Sequence, residues 1–138
     1  MRVRVKPGLA PSGQTMIEGW LRHDQEYVVL EIVDNLLRLE RGEGDAIPPV
    51  WERDLFEVVD GSLPPNWIAA IGGSGRLYLA PRSWFEADFW SALDDDEPPE
   101  QMTWAQRTER YKAARQTFER EVSIIIEADR MSRETDRL

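Results

Sequence analysis

The chain has 138 residues, 41% of them hydrophobic and 31% charged, with 26 acids against 17 lysines and arginines, a net charge of −9, and no cysteine. This suits a single domain, residues 1–138, that buries roughly two thirds of the surface its unfolded chain would expose. The composition excludes a disordered tail; no apolar run approaches the ~20 residues of a membrane span, and the lack of cysteine excludes disulfides, a thiolate nucleophile and cysteine-ligated zinc.

At the N-terminus, "MRVRVKPGLAPSG" carries three bases with no apolar segment behind them. It does not read as a secretory signal, and a cytoplasmic location is the expectation. Within it "RVRVK" alternates Val3 and Val5 against Arg2, Arg4 and Lys6, which predicts a half-buried strand whose charged face suits a sheet edge. Further strands are expected over Thr15–Leu21 and Glu26–Val33. In "YVVLEIVDNLLRLER" the pair Asp34-Asn35 can form a two-residue hairpin turn. The register that follows pairs Val33 with Leu36, Ile32 with Leu37, Glu31 with Arg38 and Leu30 with Leu39. One face then shows Val28, Leu30, Ile32, Leu37 and Leu39, and the other an exposed Glu31–Arg38 ion pair contributing about 0.2–1 kcal/mol.

Strands are also predicted at Leu55–Val59, Trp67–Ile71 and Arg76–Ala80, the last two joined by "GGSG" as a hairpin tip and bounded by Pro48, Pro49, Pro64 and Pro65. Two helices follow. Ser83 with Glu86 has the spacing of a capping box and opens a short helix to about Leu93; Thr103 with Gln106 opens a long one. The long helix sets Trp104, Tyr111, Ala114, Phe118, Val122, Ile125 and Ile126 as one apolar stripe against the sheet, and its polar end, 129–138, is expected to fray. The fold class is therefore α+β: an antiparallel, meander-like sheet of five to seven strands with a short helix and a long C-terminal helix packed on it. The pattern sets no oligomeric state.

The charge is concentrated in the middle. Residues 1–50 carry six bases and eight acids, 51–100 three and eleven, and 101–138 eight and seven, giving −2, −8 and +1. Between Arg82 and Arg107 there is no base, and "WFEADFWSALDDDEPPE" (84–100) holds Glu86, Asp88, Asp94, Asp95, Asp96, Glu97 and Glu100. Such a surface repels nucleic acid and anionic membrane and attracts basic partners. Glu86, Glu97 and Glu100 lie where negative charge suits a helix start. Asp94, Asp95 and Asp96 follow a helix end, where each is unfavourable by about 0.3–1 kcal/mol. A cluster that local stability does not favour points to a partner. Glu86, Asp88, Asp94, Asp95, Asp96 and Glu97 are the candidate contacts, with Trp90 as an aromatic anchor, although the aromatic residues at helical spacing are core candidates first.

Catalytic patterns are weak. His23, the only histidine, sits in the polar turn "LRHDQEY" and cannot form a paired metal site; Ser74 in "IGGSGRL" fails as a nucleophile elbow because Arg76 stands where glycine is needed. The same glycines precede no helix that could hold a dinucleotide phosphate, and "DDDEPPE" lacks the alternating ligands and central glycine of a calcium loop. No catalytic residue, metal or cofactor is assigned. "YVVLEI", "LFEVVDGSLPPNWIA" and "RLYLAPRSWFEADFWSALDDDEP", about residues 27–98, resemble small bacterial proteins of toxin–immunity loci, contact-dependent growth inhibition systems included; "FEVVD", "LPPNW" and "LAPRSW...FW" are the most distinctive pieces. The resemblance implies a non-enzymatic protein whose partner is a cognate toxin with a basic toxic domain, such as a nuclease. The alternatives are a small carboxylate-dependent hydrolase and a general adaptor module.

Overall fold

A computed structural model describes residues 1–8, 21–40, 47–72, 74–86, 88–94 and 101–136. Among them are seven strands: β1 (Arg2–Val5), β2 (Glu26–Val33), β3 (Leu36–Leu39), β4 (Val50–Glu52), β5 (Phe56–Asp60), β6 (Trp67–Ile71) and β7 (Leu77–Pro81). Two helices follow, α1 (Phe89–Asp94) and α2 (Trp104–Asp136), and 3-10 turns span Arg53–Leu55 and Arg82–Phe85. All strand pairs are antiparallel, so the class is α+β as expected.

The sheet branches at β2. One edge of β2 carries β3 and then β4; on the other edge β1 takes residues 26–28 and β7 takes residues 32–33. β5 returns to pair with β1, and β6 pairs with β7. β1 is therefore interior, where an edge was expected. What makes its charged face tolerable there is neutralisation: Arg4 pairs with Glu57 of β5, and Arg2, only 8% exposed, meets Asp60 of β5, Glu26 of β2 and Asp129 of α2. The expected strand over 15–21 lies outside the described residues except for Leu21, which is buried.

The β2–β3 hairpin turns at Asp34, whose φ of 51° is left-handed, and the pairs Val33–Leu36, Ile32–Leu37 and Glu31–Arg38 form as predicted. Leu39, however, faces Val29, because a bulge lies between Val29 and Glu31. One inserted residue reverses which side chains share a face. Val29, Ile32, Leu37 and Leu39 thus join Val3, Val5, Tyr27 and Phe56 in one core, while Leu30, with Val28 beside it, points into a second core under the helices. Glu31 follows Leu30 to that side and is 3% exposed; its ion pair with Arg38 at 2.7 Å is buried, not the solvated pair expected.

The second core is built on aromatic stacking. Trp84 lies between Phe89 and Phe118, with ring centroids 5.9 and 5.2 Å away and planes within 7° and 12° of parallel. Ala92 and Leu93 of α1, Ala80 of β7, and Ala114 and Ile125 of α2 complete it. Thr103 caps α2 as predicted: Gln106 N–H donates to Thr103 Oγ1 (3.1 Å) and Thr103 N–H to Gln106 Oε1 (2.9 Å). Ser83 does not cap a helix. It sits inside the 3-10 turn and donates to Glu121 Oε1 at 3.1 Å, and the short helix begins later, at Phe89.

On α2 the buried positions are Ala114, Phe118, Glu121 and Ile125. Trp104 (76% exposed), Tyr111 and Ile126 face away, where the predicted stripe had placed them in the core. The expected fraying of 129–138 is also overturned as far as Asp136, for the helix is continuous to that residue and its last turns are tied to β1 by Arg2–Asp129 (2.9 Å) and to β5 by Ser132 Oγ donating to Asp60 (3.0 Å).

Candidate functional site

The candidate contacts separate into three groups. Glu86, which ends the 3-10 turn, and Asp94, the last residue of α1, are exposed carboxylates on either side of α1. Asp95, Asp96 and Glu97 lie outside the described residues, in the run that joins α1 to α2. Asp88 and Trp90 are engaged within the fold.

Asp88 accepts a hydrogen bond from Arg110 Nε at 2.8 Å and a second from Nη2, which also reaches Ser91 Oγ at 3.1 Å. That fork fastens α1 to α2, and Arg110 holds the Asp88 carboxyl below its ordinary value despite its exposure. Trp90 packs edge-on against Trp84 and Phe89 (5.6 and 5.0 Å), and the Arg38 guanidinium lies 4.9 Å from its ring centre. Arg38 thereby joins the sheet to α1, with Glu31 on one side and Trp90 on the other. Burial pushes the Glu31 carboxyl up, and the charge and hydrogen bond of Arg38 oppose that shift.

An aromatic residue that does face solvent, and that follows the acidic run closely in sequence, is Trp104. It opens α2 and has Arg107 5.4 Å from its ring centre. Sequence spacing placed it in the core stripe because i, i+3 and i+4 periodicity cannot say where along a helix the covering sheet stops. Its place immediately after a capping threonine was the available signal: a residue at the first helical position of a 33-residue helix overhangs anything shorter.

Two concavities adjoin Glu86. A groove of about 530 Å³ between α1 and α2 has Phe89, Ala92, Ala113 and Ala114 along it and Glu86, Asp88, Arg110 and Thr117 at its margins. A cleft of about 480 Å³ on the other side is lined by Pro65, Asn66, Ile68, Arg82, Ser83, Glu86 and Glu121. Glu121, 7% exposed, accepts from Asn66 Nδ2 (2.8 Å) and Ser83 Oγ (3.1 Å), with Arg120 3.8 Å away. Sequence reasoning missed this carboxylate, which occupies a core position of α2. His23 and Ser74 both lie on exposed turns. Among the described residues no group of three His, Asp or Glu side chains is placed to hold a metal ion, and no helix is long and apolar enough to cross a membrane. Comparison with protein-family models, curated proteins and solved structures gave no significant match.

Proposed function

We propose that this protein is an immunity protein that acts in the cytoplasm, binding and blocking the basic toxic domain of a cognate bacterial toxin through the acidic surface around α1. The observation that carries this reading is a solvent-facing tryptophan together with solvent-facing carboxylates. Trp104, which follows the run 95–100 in sequence, is three-quarters exposed, and Glu86 and Asp94, which precede the run, are exposed carboxylates. A solvent-facing tryptophan that follows a carboxylate run in sequence suits a basic protein surface: the ring supplies contact area to desolvate, and the charges supply steering and exclude acidic competitors. The resemblance of residues 27–98 to toxin–immunity proteins agrees in kind.

The experiment is co-expression with a toxic domain encoded beside this gene. Wild-type protein should restore growth. Trp104→Ala, which removes a side chain the core does not use, should fold with an unchanged midpoint and lose protection along with at least about tenfold in affinity. Retained affinity in the Trp104 variant would remove the anchor from the interface.

A second reading, a carboxylate-dependent hydrolase, is favoured by the cleft in which buried Glu121 and exposed Glu86 share one lining. Glu121→Gln separates the two, since it would abolish hydrolysis while leaving an interface centred on Trp104 intact.

A further inference from the structure

Strand β6 (Trp67–Ile71, "WIAAI") pairs only with β7 among the described residues. Its hydrogen-bond parity follows from one contact. Gly72 N–H donates to Arg76 O at 2.9 Å across the hairpin, so in the antiparallel ladder Ala70 and Ile68 also face β7. Ala69 and Ile71 then turn both N–H and C=O toward the open edge. Trp67 does so with its carbonyl only, because its N–H is taken by Pro64 O at 3.2 Å.

Sheet edges of natural proteins are normally blunted by charge, proline or a bulge. β6 has none of these, whereas β5 carries Glu57 and Asp60 and β4 carries Glu52. In a chain of net charge −9, two copies meeting at either of those edges would bring carboxylates toward carboxylates. At β6 they would not. Ile71 is 75% exposed and Ala69 is exposed beside it on the same face.

We propose that β6 is a self-association edge, at which a second copy of this chain adds by antiparallel strand pairing about a two-fold axis through Ala69. In that register Ala69 exchanges both of its outward bonds with Ala69 of the second copy, and Ile71 donates to the Trp67 carbonyl of the second copy. The symmetry places Ile71 across from Trp67 of the other copy on one face, a β-branched and aromatic pair of the kind that stabilises cross-strand contacts. Two outward donors thus find acceptors, and the most exposed aliphatic side chain of the sheet is covered. The contact is isologous and closes on itself, so it yields a dimer and not a filament.

The test is molar mass against concentration, by sedimentation equilibrium, from about 1 µM to about 1 mM, the range in which a contact of this size associates. Wild-type protein should move from 16.0 kDa toward twice that value. Ala69→Glu, which sets like charges opposite each other on the axis, should remain monomeric at every concentration with an unchanged unfolding midpoint. Ala69→Pro, which deletes an outward N–H and no bond to β7, should do the same. Amide exchange supplies the second readout, with Ala69 and Ile71 protected only at high concentration. A wild-type mass fixed at 16.0 kDa throughout, or an Ala69→Glu variant that dimerises as wild type does, overturns the proposal. Protection of these amides only after a basic toxin domain is added would assign the edge to that partner and equally overturn self-pairing.

Discussion

Asp60 is a carboxylate held by several protein donors at once. It accepts from Ser62 Oγ (2.7 Å), Ser62 N–H (2.9 Å), Ser132 Oγ (3.0 Å) and Arg2 Nη2 (3.4 Å). The Ser62 hydroxyl and backbone bonds, then Ser132 and Arg2, hold it far below the usual carboxylate range against the opposing effect of burial. A depressed folded value means that the unfolded chain binds the proton more readily. The stabilisation is therefore complete above the unfolded value of about 3.9 and is lost as pH falls below it toward the folded value. Glu31 has the opposite sign. Its folded value is raised, so its ionisation costs stability as pH rises through the window above its ordinary value. Wild-type protein should lose urea stability below about pH 4, and Asp60→Asn should be less stable at pH 7 with a shallower acid decline. Parallel acid declines in urea midpoints measured at pH 7 and at about pH 3 would show that the Ser62–Asp60–Arg2 contacts do not form. None of this was visible in the sequence, because Arg2, Asp60 and Asp129 are brought together only by the β1–β5 pairing and the full length of α2.

At the scale of elements, the sequence carried periodicity well and interruptions poorly. The Asp34-Asn35 turn and three of the four expected hairpin pairs are present, since turn chemistry and register act over neighbouring residues. The bulge at Leu30 has no such signature; it falls where the partner on the other edge of β2 changes from β1 to β7, a tertiary arrangement. On α2 the buried row is 114, 118, 121 and 125, spacings of 4, 3 and 4 that are regular for a helix. It was read as passing through Val122 because position 121 is a glutamate. The row then continues past Ile125 through Asp129 and Ser132, polar residues that meet Arg2 and Asp60, so the last turns are held by ion pairs and hydrogen bonds where apolar contact was the only signal sought. Phe118→Ala should destabilise the protein by about 3–5 kcal/mol, since the ring is 4% exposed and stacks on Trp84. Chemical denaturation checks this, and an unchanged midpoint would mean that α2 does not close the second core.

The molecule as a whole divides its charge by use. The carboxylates Glu26 and Glu31 of β2, Glu57 and Asp60 of β5 and Asp129 near the end of α2 are paired internally with Arg2, Arg4, Arg38 and Arg133. Asp88 is consumed by Arg110. What remains facing outward around α1 is Glu86 and Asp94, with the run "DDEPPE" (95–100) following in sequence and Trp104 after it. The acidic stretch was legible from composition alone, yet its division was not: two of the seven candidate contacts, Asp88 and Trp90, hold α1 in place, and the exposed tryptophan is one that spacing had assigned to the core.

The most direct measurement is the association rate between this protein and a basic toxic domain encoded beside its gene, as a function of salt, for wild type and for a variant with Asp94, Asp95 and Asp96 changed to Asn and Glu97 to Gln. Charge that steers encounter accelerates association at low salt and is screened as salt rises. Wild-type protein should therefore show a steep salt dependence. The neutralised variant should be as stable or slightly more so, because charge unfavourable to the end of α1 is gone, and should associate at least about tenfold more slowly at low salt with a flattened slope. Equal rates and equal slopes for the two proteins, with full protection of cells by the variant, would contradict an interface at the acidic surface around α1.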